Sequence, residues 1–139
     1  VLAGGLCNGG AIRAAEVGGA DLADIGTLFI AARESLAPDD YRQMVVDAGV
    51  DDLVLTKAFT GASAYYLRRS VERSGLDPDN LSGKTAMDWK NSEQQLKAWK
   101  DIWSAGQSVS AVTRVEGAGD IIARLRAEYA QSLALPSFD

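Results

Sequence analysis

The chain has 139 residues, the size of one ordinary domain, with 47% hydrophobic and 24% charged residues and a formal net charge of −5. That composition is globular rather than disordered, the acidic balance and scattered Lys and Arg argue against a nucleic-acid partner, and no apolar run approaches the ~20 residues of a membrane span. A single cysteine, Cys7, excludes an intrachain disulfide framework and favours a reducing cytoplasm, while zero histidines remove Ser-His-Asp and Cys-His catalysis and argue against an ordinary zinc or iron site.

The first residues, VLAGG (1–5), read as a short buried strand ending at glycine. Asn8 is suited to cap a following helix, with Ile12, Ala15 and Ala11 turned inward and Gly18-Gly19 closing it. ADLADIG (20–26) reads as a second short strand, so residues 1–30 form a strand–helix–strand unit whose crossover of about a dozen residues implies a parallel pair. TLFIAARES continues as a helical turn or two, with Leu28, Ala31, Ala32 and Ser35 on it. PDDYRQMVVDAG starts a helix at Pro38 with acidic residues in the first turn and Tyr41, Met44, Val45 and Ala48 on one face.

DDLVLTKAF (51–59) alternates as a strand does, GASAYYLRRSVERSG reads as an amphipathic helix ending at Gly75, and DPDN (77–80) is a turn. SGKTAMDWKNS is polar and irregular, the texture of a boundary or hinge. SEQQLKAWKDIWSAG reads as a helix with Leu96, Trp99 and Trp103 at compatible spacing, and GDIIARLRAEYA as a helix with Ile121, Ile122, Leu125 and Tyr129 on one face. Two parallel strands do not make a stable sheet alone, because parallel sheets are covered on both faces. The opening unit therefore reads as the tail of a larger α/β protein.

Seven of the 14 glycines fall within residues 1–26. Gly4-Gly5 ends the first strand and Gly26-Thr27 the second, and in a parallel sheet those ends are neighbours. Backbone N–H groups uncrowded by side chains, each followed by a helix start, suit an anion, and two adjacent strand ends of this kind have the geometry of a barrel phosphate site. Thr27 offers a hydroxyl to the same group. The plainer reading is that these glycines only make tight strand–helix turns. GGLCNGG matches neither G-x-G-x-x-G nor the Walker pattern.

Cys7 has no histidine to activate it and reads as a turn-lining thiol. Tyr65-Tyr66 with Arg68-Arg69 suits either a pocket wall or a packed helix with solvated arginines. In WSAGQSVS (103–110) a helix breaks at Ala-Gly into a polar stretch that can present amides and the Gln107 side chain to a ligand.

The segment VLAGGLCNGGAIRAAEVGGADLADIGTLFIAARES resembles the closing strand-seven, helix, strand-eight unit of the flavin-dependent nitronate monooxygenases, formerly called 2-nitropropane dioxygenases, whose members read close to "AAGGI-x-DGRG…GAD…MGTRF". The likeness continues through LTKAFTGASAYYLRRSVERSGLDPDNL and KAWKDIWSAGQSVS, and the ordered combination of GG, GT, FTG, GLDPDNL and WSAGQ makes it specific.

The resemblance implies an α/β protein, the C-terminal part of a TIM (β/α)8 barrel with a smaller, mainly helical substrate-side domain: residues 1–32 as strand seven, helix and strand eight with the FMN phosphate site, 33–98 as the smaller domain, and 99–139 as the return to the barrel with the final helix. It implies FMN as cofactor, with Gly4, Gly5, Gly26 and Thr27 cradling the phosphate, Gly106 and Gln107 near the ring or the substrate, and Tyr65 and Tyr66 on the substrate side. The implied partners are a small nitronate substrate and molecular oxygen, together with the rest of the barrel, whose earlier strands carry the family's histidine. It implies no metal, nucleic acid or membrane.

Two alternatives stay open: a flavin-type enoyl-acyl carrier protein reductase, which shares the GG and GT phosphate site and an AGQ-like segment, and a non-catalytic flavin-binding remnant. The chain departs from the family pattern at Cys7-Asn8-Gly9 in place of Asp-Gly, at Ile25 in place of Met, and at Leu28 in place of Arg.

Overall fold

A computed structural model describes residues 1–81 and 100–134. The chain begins with β1 (Leu2–Ala3), α1 (Gly9–Val17) and β2 (Ala23–Asp24). β1 and β2 pair in parallel with Leu2 opposite Ala23 and Ala3 opposite Asp24, as the crossover length requires. Asn8 caps α1 as expected, its side-chain oxygen accepting the Ala11 N–H at 2.7 Å.

After β2, a single turn, α2 (Thr27–Ile30), leads through buried Ala31 and Ala32 into α3 (Asp39–Asp47). Pro38 precedes α3, and Asp39 and Asp40 lie in its first turn, where carboxylates favour the helix dipole. A 3-10 turn (Val50–Asp52) then enters β3 (Leu53–Thr56), which pairs antiparallel with β4 (Ala64–Leu67).

β4 corrects the reading of GASAYYLRRSVERSG as one helix. Helical structure begins only at α4 (Arg68–Arg73), and the four residues before it pair with β3 from Leu53–Leu67 to Thr56–Ala64. Adjacent aromatic residues suit a pleated surface, and cross-strand pairing decides between two local patterns that both fit Ala64, Leu67 and Val71. The stretch after β3 is therefore not all helical. It carries this two-stranded sheet.

The segment around Trp103 is corrected in the same way. Ser104 bridges Tyr66 in antiparallel sense, and the Leu67 N–H donates to the Trp103 carbonyl at 2.8 Å, so Trp103-Ser104 runs beside β4 rather than continuing a helix. Leu96 and Trp99, read as sharing a helical face with Trp103, lie outside the described residues, as does the expected boundary in SGKTAMDWKNS. A second 3-10 turn (Gln107–Ala111) leads on to α5 (Ala118–Ser132). On α5, Ile121 and Leu125 are buried, Tyr129 is half-buried, and Ile122 stands 48% exposed. Residues four apart share a face, and one step along the helix turns Ile122 away from it.

The principal core joins Leu28, Ala31 and Ala32 to Met44 and Val45 of α3, Leu67, Trp103, Val109, and Ile121 and Leu125 of α5. A second cluster gathers Tyr66, Val71, Leu81 and Ile102, with Phe59 against them. Helices α1 and α5 pack so closely that a Cβ on Gly9 would come 2.1 Å from the Tyr129 backbone nitrogen. The second glycine pair thus contains a helix-contact residue. By contrast, Val1 (80% exposed), Leu2 and Leu22 (64%) leave the parallel pair uncovered.

Candidate functional site

The two strand ends come together as the parallel register dictates. Gly4 and Gly5 follow β1 with φ of +91° and +72°, backbone that L side chains rarely adopt, and no atom lies within 4 Å of a Cβ built on either. Gly26, at the end of β2, is equally open. The Ala3–Asp24 pairing turns the Gly4 N–H toward the Asp24 carbonyl as part of the parallel ladder, whereas outside the ladder no backbone acceptor is found for the amides of Gly5, Gly26 and Thr27 among the described residues. N–H groups without a protein acceptor beside exposed glycines suit an anion.

The start of α1 does not add to it. Its Gly9 N–H is taken by Glu128 Oε2 at 2.8 Å and its Ala11 N–H by Asn8. This corrects the expectation that both helix starts are available to an anion: the first is occupied by the protein's own side chains.

Thr27 links the cradle to the second candidate segment. Its buried hydroxyl oxygen accepts the Gly106 N–H at 3.0 Å, and that oxygen's own proton remains for donation elsewhere. A Cβ on Gly106 would sit 2.8 Å from Thr27 Oγ1, so the approach requires glycine. The next residue, Gln107, donates from Nε2 to the Tyr65 hydroxyl at 2.9 Å. Gly26, Thr27, Gly106, Gln107 and Tyr65 therefore form one connected run.

Tyr66 is not part of that run. Alternation along β4 turns it into the second cluster, where its ring meets Phe59 edge-on at 4.8 Å. The family's Arg position holds Leu28, which is packed into the principal core; a cation there would have to be desolvated. Cys7 is half-buried beside Asn8.

Three groups that the sequence did not single out hold the Trp103–Gln107 segment. Ser70, fully buried, accepts the Trp103 N–H at 3.0 Å and donates to the Leu67 carbonyl at 2.8 Å. The Tyr41 hydroxyl donates to the Ser104 carbonyl, and the Tyr41 ring stacks on Trp103 with centroids 4.8 Å apart and planes 17° apart. Burial raises the Tyr41 pKa from its ordinary value, with the Ser104 contact opposing the shift. The Arg73 guanidinium lies 3.9 Å from the Trp103 ring centroid. A serine in an amphipathic helix and a tyrosine on a core face carry no local signal of these long-range contacts. A cavity of about 550 Å³ opens between Gly26, Phe29, Tyr41, Trp103 and Lys100.

Among the described residues there is no cluster of metal-ligating side chains, and no helix is long and apolar enough to cross a membrane.

A sequence model of the nitronate monooxygenase family matches residues 1–128. The chain belongs to the nitronate monooxygenase family. It is 28% identical to a nitronate monooxygenase of Paraburkholderia phytofirmans over 96% of the chain and 38% of that protein. Over 46% of its length it is 34% identical to a probable nitronate monooxygenase of Staphylococcus aureus, of which it covers 18%. The chain thus spans well under half the length of these relatives.

Among solved structures, the nitroalkane oxidase of Streptomyces ansochromogenes superposes with a TM-score of 0.66 at 29% identity, over 94% of this chain and 39% of that one. FabK of Thermotoga maritima superposes with a TM-score of 0.68 at 23% identity, over 94% of this chain and 44% of that one, a likeness of fold.

Proposed function

We propose that this chain is the C-terminal portion of an FMN-dependent enzyme that oxidises alkyl nitronates with molecular oxygen in the cytoplasm. Its residues 1–32 close a TIM (β/α)8 barrel, residues 33–98 form the smaller substrate-side domain, and residues 99–139 return to the barrel. The observation that supports the reading is the pairing of Leu2 with Ala23 and Ala3 with Asp24, because it makes the strand ends at Gly4-Gly5 and Gly26-Thr27 neighbours with open space around their glycines.

These residues fit a phosphate. The glycines leave room for its oxygens, the N–H groups point no charge or side chain at them, and Thr27 has a hydroxyl proton to give. The cradle uses backbone, so the replacements at Cys7-Asn8, Ile25 and Leu28 leave it intact. Gly106, fixed by Thr27, and Gln107 extend the site along the bound FMN, and Tyr65, held by Gln107, belongs to the substrate side. Tyr66 supports that side from the second cluster. Bound FMN supplies the electron acceptor for a nitronate. With zero histidines in the chain, the base that assists comes from the remainder of the barrel.

The test is made on the full-length protein. The reading predicts a yellow protein that takes up oxygen with propionate 3-nitronate and ignores NADH. NADH oxidation with an enoyl thioester would move the assignment to the enoyl reductase that shares this phosphate site, and a colourless protein that cannot be reconstituted with FMN would remove both.

A further inference from the structure

The cavity beside Gly26 has a chemistry of its own. Its volume, about 550 Å³, falls within the range of small-molecule sites. Phe29, Tyr41 and Trp103 form aromatic walls, and Leu36, whose side chain is wholly exposed, stands at its rim. A large apolar side chain left in solvent at the mouth of an apolar cavity is surface that an occupant would cover.

The polar side chains of the lining are sorted by what they already do. Ser35 donates to the Ile30 carbonyl at 2.8 Å and accepts the Ala37 N–H, and Tyr41 donates to the Ser104 carbonyl. Neither has a donor left for a ligand. The Trp103 indole N–H is spent on the Lys100 carbonyl at 3.0 Å. Among the described residues Lys100 is the remaining polar side chain of the lining, and no carboxylate among them lies within 4.0 Å of its ammonium. Among the described residues, no acidic side chain lines the cavity. The available polar group is thus one ammonium, set on apolar and aromatic surface. That combination attracts a negative charge attached to an apolar body.

We propose that this cavity binds an amphipathic organic anion, a carboxylate carrying an aryl or short acyl body, with the body between Phe29, Tyr41 and Trp103 and the charge at Lys100. The site adjoins the glycine cradle at Gly26 but is separate from it, so it does not depend on the assignment of FMN.

The experiment measures binding of 2-naphthylacetate and of its neutral counterpart, 2-naphthylethanol, to the full-length protein saturated with FMN and without FMN. The acid is expected to bind about fivefold tighter than the alcohol, as one partly exposed charge contact allows. Lys100→Met should remove that preference and leave alcohol binding unchanged. Ala37→Trp, which fills the cavity, should weaken both probes at least tenfold. FMN should leave both affinities unaltered. Equal binding of acid and alcohol by the unsubstituted protein would overturn the proposal. So would retained preference in Lys100→Met, unaltered binding in Ala37→Trp, or displacement of the probes by FMN. Lys100 is exposed, so Lys100→Met reports on the charge rather than on folding.

Discussion

The β1–α1–β2 unit and the segment from Trp103 to Gln107, the two sides of the proposed FMN site, are built by opposite means. The first offers bare backbone: glycines with positive φ, open space around them, and strands whose apolar residues remain exposed. The second is held residue by residue by side chains from other elements, Trp103 by Ser70, Ser104 by Tyr41, Gly106 by Thr27 and Gln107 by Tyr65. A backbone cradle tolerates changes in neighbouring side chains, so Cys7-Asn8 and Leu28 can depart from the family pattern. A side-chain clamp does not tolerate the loss of its clamping groups.

The same contrast runs within the first ten residues. Gly4 and Gly9 are alike in sequence, yet Gly4 faces empty space and Gly9 faces the backbone of α5. The largest expected effect follows. Gly9→Val would drive a side chain into Leu125 and Tyr129 main-chain atoms that have no flexible route away, costing about 3 kcal/mol or more. Denaturant unfolding of the full-length protein should register that loss, while Gly10→Ala, on the exposed side of α1, should change stability far less.

Ser70→Ala comes next. It leaves the buried Trp103 N–H without its acceptor, at a cost of about 1–3 kcal/mol, read as a lowered unfolding midpoint with unchanged slope. Undiminished stability would mean that the clamp is not held where the Trp103–Ser70 contact puts it.

These two residues also mark what the sequence could and could not tell. The parallel pair was legible because two short apolar runs ending in glycine, separated by one helix length, leave few topologies. The α3 start was legible because Pro38 and two aspartates are local signals. Tyr65-Tyr66 was misread because Ala64, Leu67 and Val71 satisfy helical spacing as well as Ala64–Leu67 satisfies pairing, and the deciding partner, Leu53–Thr56, is distant in sequence. In the site, the cradle glycines and the break at Gly106 stood out by composition. The Ser70, Tyr41 and Glu128 contacts span 33, 63 and 119 residues, and no local pattern encodes them.

Thr27→Val tests the joint between the two sides. It keeps the shape and removes the acceptor of the Gly106 N–H, with an expected cost of about 1 kcal/mol. Because Thr27 is assigned to the proposed cradle, FMN affinity should fall with it, whereas an unchanged affinity would separate Thr27 from the phosphate.

The smallest effect is electrostatic and lies away from the site. Glu116 accepts from Arg124 at 2.8 Å and from Arg114 at 2.9 Å, and Arg124 first, opposed by burial, lowers its pKa from the ordinary value. A carboxylate with a lowered folded pKa contributes stability above its unfolded value, about 4.3, and loses it as pH falls through the folded value. Glu116→Gln should therefore flatten the acid limb of a stability-versus-pH curve below about pH 4.5, and an unaltered limb would assign the acid sensitivity to other carboxylates.

The most direct measurement is the affinity of the full-length protein for FMN against riboflavin, which differ only in the phosphate, in the unsubstituted protein and in Gly26→Pro, which removes one cradle N–H. A strong preference for FMN that shrinks at least tenfold in Gly26→Pro, with riboflavin affinity little changed, is the predicted result. Equal affinity for the two flavins in the unsubstituted protein, or an undiminished preference in Gly26→Pro, would contradict the assignment of Gly4, Gly5, Gly26 and Thr27 as a phosphate cradle.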